Sequence, residues 1–189
     1  MSFWSTNNVE PKRNFRFLVQ FTGLAELDPP LGGEDVLWWA KTVTTPSFDV
    51  SEVTHDFLDN KYYYPGRVTW NEVSMTLVDP VSPDAVGQTN ALLEAMGYVV
   101  PSNTANLSSV SKENSGIALG VIVISILDVD GKEIETWRLQ NPFIKSAKYG
   151  DLDYSNDELR TITLGLRYDW ATCEITTPGG TKVNQFELK

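Results

Sequence analysis

Hydrophobic positions recur with period two over most of this chain, which predicts strands whose alternate side chains face opposite sides of a sheet. The clearest run sets Ile162, Leu164, Leu166, Tyr168 and Trp170 on one face and Thr161, Thr163, Gly165, Arg167 and Asp169 on the other, a half-buried antiparallel strand. Phe15, Phe17, Val19 and Phe21 alternate with Arg16, Leu18 and Gln20 and predict the first strand. Residues 119–127 (LGVIVISIL) are apolar nearly throughout, which predicts a strand covered on both faces. The Asp130-Gly131 pair that follows predicts a two-residue type I′ turn into a strand over 133–140. Further strands are predicted over 36–45, 48–57 and 61–64. Over 67–79 the phase changes, with Val68 and Trp70 in one alternation and Val73, Met75 and Leu77 in the other; this predicts a bulge near Asn71-Glu72 that bends the strand.

One segment has a helical period. Ser82 is its N-cap, Pro83 its first position, Ala85, Val86, Leu92, Leu93 and Met96 its apolar stripe, and Gly97 its stop. Residues 101–117 begin as PSNTANLSSVSKENSG, rich in Ser and Asn and without period, and predict a long surface loop. The chain thus divides into an N-terminal arm over 1–12, one β-domain over 13–175 and a C-terminal extension over 176–189, set off by Pro178-Gly179-Gly180. No internal repeat is visible.

A length of 189 residues suits a single hydrophobic core, and 41% apolar with 21% charged residues excludes wholesale disorder. Fifteen basic against 25 acidic residues give a net charge of −10, the wrong sign for holding a phosphate backbone or an anionic membrane. The one cysteine, Cys173, forms no internal disulfide, as expected of a reducing, cytoplasmic compartment. Residues 1–8 lack a basic region followed by an apolar one, and no stretch approaches the roughly 20 apolar residues that span a bilayer, so neither export nor membrane insertion is expected.

The stock of chemistry is poor. His55, the only histidine, sits between Thr54 and Asp56 in a predicted strand, and no third residue orients it toward Cys173. One Cys and one His leave a zinc site two ligands short, and no glycine-rich phosphate loop opens a helix. Asp151, Asp153, Ser155 and Asp157 begin like a calcium loop, but Asn156 stands where Gly is needed and Ile162 where Glu is needed, so the run reads as a solvated acidic turn. The pairs Glu133/Glu135 and Asp157/Glu158 read as acids on solvent faces of strands. No catalytic residue, metal site or cofactor is therefore expected. Aromatic residues are abundant instead, and the runs Trp38-Trp39 and Tyr62-Tyr63-Tyr64 place rings on both faces of their strands. Consecutive rings cannot all enter one core, so some meet solvent, a ligand or another subunit.

Between residues 38 and 79 a strand ends at Thr45-Pro46, followed in order by Phe57-Leu58-Asp59-Asn60-Lys61, Pro65-Gly66-Arg67-Val68-Thr69-Trp70 and the alternating run from Val73 to Asp79. Later, Gly150-Asp151-Leu152-Asp153-Tyr154 precedes the run from Ile162 to Trp170. In this order and spacing the chain resembles the tail-tube proteins of contractile-tailed bacteriophages over most of residues 13–170. The resemblance implies a mainly β fold of two antiparallel sheets, a barrel or sandwich with one flanking α-helix. It further implies homohexameric rings that stack as the inner tube of a tail, with tail sheath and baseplate or terminator proteins as partners. Strands of adjacent subunits would join into one β-wall around a lumen, through which phage DNA passes without specific binding. Such a protein is a virion component, assembled in the host bacterial cytoplasm, with no cofactor, no membrane and no catalytic role. The tube protein of type VI secretion is similar in fold. On this reading Phe48, Val50, Val53, Phe57, Leu58, Lys61, Tyr62, Tyr63 and Tyr64 are expected at contacts between subunits or rings. The acids Glu72, Glu133, Glu135 and Asp169 are expected to face the lumen, where a negative wall lets DNA slide. The loop over 101–117 and the residues after Cys173 exceed the family pattern. A baseplate-proximal, terminator or secretion-system tube protein is the near alternative. A carbohydrate-binding β-sandwich, stacking sugars on Tyr62, Tyr63, Trp38 and Trp39, and an enzyme on an antiparallel barrel are the remote ones.

Overall fold

The computed structural model describes residues 11–23, 40–82, 84–100, 109–155, 157–177 and 180–186. Nearly all of the predicted N-terminal arm, Trp38, Trp39, Pro83, residues 101–108, Asn156 and Pro178-Gly179 lie outside the described residues. In chain order the elements are β1 (Phe17–Phe21), β2 (Ala40–Val43), β3 (Phe48–Phe57), β4 (Asn60–Trp70), β5 (Val73–Val78), α1 (Ala85–Ala95), α2 (Lys112–Leu119), β6 (Ile122–Leu127), β7 (Glu133–Gln140), β8 (Phe143–Lys148), β9 (Thr161–Arg167), β10 (Trp170–Thr176) and β11 (Lys182–Gln185).

Two antiparallel sheets form the body, a five-stranded sheet in the order β1-β6-β7-β10-β11 and a four-stranded sheet in the order β2-β5-β9-β8. Among the described residues each sheet ends in two edge strands, so the body is an open sandwich and not a closed barrel. Period-two alternation supplies its core. Val73, Met75 and Leu77 of β5 stand in register with Leu166, Leu164 and Ile162 of β9, and all six are buried. Facing them from the other sheet are Val19, Phe21, Ile122, Ile124, Leu139 and Ala171, with Leu92 and Met96 of α1 and Leu119 of α2 closing the same cluster. Burying each such side chain contributes about 1.5–3 kcal/mol. The third sheet, β3 and β4 alone, places no buried residue in this core; only Trp70 at the end of β4 packs against it.

The structure corrects several sequence expectations. There are two helices among the described residues: α2 occupies the second half of the predicted loop 101–117. Its signals are local rather than periodic. The Ser111 side chain caps it by accepting from the Asn114 N–H, Glu113 sits in its first turn, and Gly120 ends it at φ 60. Helix α1 starts two residues later than expected, because the Asp84 carboxylate accepts from the Val86 N–H and Asp84, not Ser82, is the N-cap. At Asn71-Glu72 the chain does not bulge but changes sheet, leaving β4 in the two-stranded sheet and entering β5 in the four-stranded one. The bulge lies earlier, in β3–β4, where the register shifts between Val50 and Glu52 and the Ser51 hydroxyl accepts from the Arg67 N–H at 2.8 Å.

The strand predicted through Trp170 instead breaks at Tyr168-Asp169, and β10 begins the opposite sheet. The turn after β6 has a positive φ only at Gly131, with Gly131 N–H donating to the Asp128 carbonyl and Asp128 N–H to the Lys132 carbonyl. That is a type I turn closed by a glycine bulge, not a type I′ turn. Residues 182–185, assigned to an extension, form β11 and pair with β10 as the fifth strand of the sheet.

Candidate assembly surface

Strands β3 and β4 form a two-stranded arm of ten and eleven residues in which every position except Trp70 is exposed. At about 3.3 Å per residue the arm is about 33 Å long. Isolated two-stranded ribbons are marginal in water. This one also exposes Val53 at 62%, Phe57 at 58% and Tyr63 at 61% of their surface. Phe48, Val50, Tyr62, Tyr64 and Val68 are likewise open. All nine residues expected at subunit contacts therefore lie on this one element, and the Tyr62–Tyr64 run does present rings on both faces.

The tip is strained as well as apolar. Leu58 adopts φ 53, a left-handed conformation that costs an L-residue about 1–2 kcal/mol, and its side chain is 87% exposed. Behind it Lys61 lies 3.9 Å from Asp56 across the ribbon. His55 pairs with Tyr62 near the tip of the arm, exposed, whereas Cys173 is buried in β10.

At its base the arm is held by aromatic packing that sequence reasoning missed. Trp70 meets Phe48 at 5.4 Å between centroids, Tyr168 at 6.0 Å and Phe186 at 5.7 Å, and Phe186 meets Phe48 at 5.9 Å. Edge-to-face pairs of this kind contribute about 0.5–1.5 kcal/mol each. Backbone bonding continues the joint, since the Asn71 N–H donates to the Ser47 carbonyl at 2.8 Å. The cluster leaves an apolar groove of about 460 Å3 bounded by Val68, Trp70, Trp170 and Phe186. From the sequence only the alternation of Val68 and Trp70 is visible; Phe186 lies more than a hundred residues away from Trp70.

The four acids expected at the lumen occupy different elements. Glu133 is exposed on the outer face of the five-stranded sheet and accepts from the Ser125 hydroxyl at 2.8 Å. Glu135 sits on the inner side of β7, opposite Ile126. Burial pushes its carboxyl up, but the bonds from the Lys12 ammonium and the Trp137 indole N–H outweigh that and hold it below the ordinary value. Glu72 pairs with Lys145 at 2.5 Å, in the connection between β4 and β5. Asp169, between β9 and β10, accepts from Lys112 at 2.6 Å and Asn141 at 2.9 Å, and these bonds lower its pKa.

On the outer face of the same sheet Glu174 is bound by Lys182 and by Arg138, which lowers its pKa and ties β10 to both neighbours. Burial raises the pKa of the Cys173 thiol, which keeps it in its unreactive form. Asp153 folds onto the Ser155 N–H and hydroxyl as a local turn. Among the described residues no group of three or more His, Cys, Asp and Glu side chains is placed to hold a metal ion, and no helix is long and apolar enough to cross a membrane.

No family model matches the sequence, and no curated protein matches it. Solved structures do. The chain is similar to one of the anti-feeding prophage cap, the tube terminating cap, with 17% identity, a TM-score of 0.59 and coverage of 93% of this chain and 99% of that one. It is similar to a chain of the sheath/tube terminator of an extracellular contractile injection system, PVC, in its extended state, with 17% identity, a TM-score of 0.60 and coverage of 88% and 98%. A chain of the sheath-tube complex of the PVC system gives 17% identity, a TM-score of 0.58 and coverage of 93% and 99%. At such identities the likeness is one of fold, and this chain has the tail-tube-like fold found in tube and cap assemblies of contractile injection systems.

Proposed function

We propose that this protein is a structural subunit that self-assembles into hexameric rings, and that the rings stack as the inner tube of a contractile tail. The observation that carries this reading is the arm: a ribbon about 33 Å long without a core of its own, exposing valines, phenylalanines and three consecutive tyrosines, is marginal alone and offers the apolar surface that a second copy would cover. The fold supports it, because the similar chains come from a tube cap, a sheath/tube terminator and a sheath-tube complex. Sheath and baseplate or terminator proteins are its proposed partners, and its proposed location is the tail of a phage particle assembled in the bacterial cytoplasm. Its work is mechanical: the tube encloses the path of the DNA, and the net charge of −10 keeps a phosphate backbone from sticking to it. Of the four acids proposed for the lumen, Glu133 and Asp169 are exposed, and Glu72, Glu135 and Asp169 each pair with a lysine of the same chain.

A terminator or cap role is the second reading, supported by the likeness in fold to cap and terminator chains. Negative-stain microscopy with light scattering over a concentration series tests both. Stacked tubes with a central channel are the expected result, single rings would select the terminator role, and a monomer at every concentration would overturn the assembly reading.

A further inference from the structure

The arm is fastened to the body by rings at its root. Among the described residues no hydrogen bond or ion pair links residues 48–70 to the sandwich. The bonds from the Asn71 N–H and side-chain amide to Ser47 join the two flanks of the ribbon to each other. Attachment therefore falls to Trp70 against Tyr168, and to Phe48 and Trp70 against Phe186. Both partners on the body side carry a cost. Phe186 stands at φ 63, in the left-handed region where an L-residue is strained, with its ring about half exposed. The Tyr168 hydroxyl is buried without a hydrogen bond, although the Ser47 backbone N–H, at the root of the arm, lies beside it.

Phe186 reaches this joint at the end of a slight element. Strand β11 has four residues, all exposed, and among the described residues it ends the five-stranded sheet, paired with β10. A hairpin brings it back, with Gly180 at φ 77, the Thr177 N–H donating to the Thr181 carbonyl, and Lys182 bound to Glu174. Short, exposed edge elements of this kind open locally before a core does. The groove of about 460 Å3 beside the ring leaves it room to turn out. We propose that β11 is a latch: Phe186 pins the arm in a resting orientation, and its withdrawal lets the root close on Tyr168, with the Ser47 N–H donating to the Tyr168 hydroxyl, as the arm turns to meet a second copy. A strained backbone and an unpaired buried hydroxyl at one joint mark a two-state element, because the second position relieves both. The latch belongs to the single chain; its control of assembly rests on the tube reading.

The test reads arm position and assembly separately. Spin labels on Leu58→Cys at the tip and Val129→Cys on the body, both exposed, give the tip-to-body distance in the dispersed protein by pulsed electron resonance, while the buried Cys173 stays unlabelled. Phe186→Gly removes the ring, and glycine takes φ 63 without strain, so β11 is kept. Its fold is checked by circular dichroism, and Phe186→Leu replaces it should it unfold. The parent is expected to give one narrow distance distribution and Phe186→Gly a broad or displaced one. Without labels, Phe186→Gly is expected to assemble at a severalfold lower concentration by light scattering, since less of the chain is held in the resting orientation. Phe186→Tyr, which keeps the ring, is expected to match the parent in both. The same distance distribution in parent and Phe186→Gly would overturn the latch. A changed distribution with a parental or higher assembly concentration would overturn its control of assembly while leaving the tube reading intact. If the parent never assembles, the tube reading falls and the distances alone decide the latch.

Discussion

At the residue scale, Gly23 and Gly120 stand backbone to backbone where β1 ends and β6 begins. A Cβ on Gly120 would overlap the Gly23 backbone and the Thr22 hydroxyl, and its φ of 60 already excludes most L-residues. The Thr22 hydroxyl also accepts from the Val121 N–H at 2.8 Å, so the joint has no slack. Gly120→Ala should therefore destabilise the fold by about 2 kcal/mol or more, measured as a lower urea midpoint at unchanged m-value. Glu135 gives the pH counterpart. Its folded pKa lies below the ordinary 4.5, so the stabilisation is complete above that pH and is lost as pH falls through the lower, folded value. Glu135→Gln should flatten the acid side of a plot of melting temperature against pH while leaving its shape above about pH 6 unchanged. An acid limb as steep as the parent's would assign that loss to other carboxylates, such as Asp169 and Glu174.

Among the elements, the arm and α2 show opposite relations between sequence and structure. The limits of β3 were legible to the residue, because Pro46 and the Leu58-Asp59 tip bracket an alternating run. What the alternation could not reveal is that neither face is covered, since a period of two marks two different faces without saying that either is buried. Helix α2 was illegible for a different reason: KENSGIAL contains a glycine and an asparagine and only three of its residues, Ser115, Ala118 and Leu119, are buried, too few for a helical period. Because residues 49–69 supply nothing to the core, replacing them by a short glycine turn should leave a folded body with a cooperative unfolding transition. The same variant should remain dispersed at concentrations where the parent assembles, a comparison that light scattering makes directly. Loss of cooperative unfolding would mean instead that the ribbon itself stabilises the sandwich, by holding Phe48 and Trp70 against Tyr168 and Phe186.

For the whole molecule the unequal distribution of charge matters more than its sum. Acids gather along β3, at Asp49, Glu52 and Asp56, and the outer face of the five-stranded sheet is cross-linked through Arg138, Glu174 and Lys182. If that outer face lines a lumen, Glu133 is a negative charge that DNA passes, held by a hydroxyl and not by a lysine. Glu133→Gln is then expected to slow genome ejection severalfold, read as the rate of DNA release from assembled particles, without changing ring formation. Unchanged release would place Glu133 away from the conduit.

The sequence by itself determined the strand-rich class, the positions of β1, β3 and β9, the helix ending at Gly97, the surplus of exposed rings and the poverty of catalytic groups. Each of these follows from local pattern: period-two alternation, caps and stops, and residue counts. Tertiary structure alone decided which sheet each strand joins, that the chain changes sheet at Asn71-Glu72 and again at Tyr168-Asp169, and that β11 returns Phe186 to Phe48 and Trp70. It also decided which acids are neutralised, because a carboxylate on a strand has the same sequence signature whether a lysine far along the chain reaches it, as Lys12 reaches Glu135, or not. Such pairings depend on contacts between residues tens to more than a hundred positions apart, and no local period encodes them.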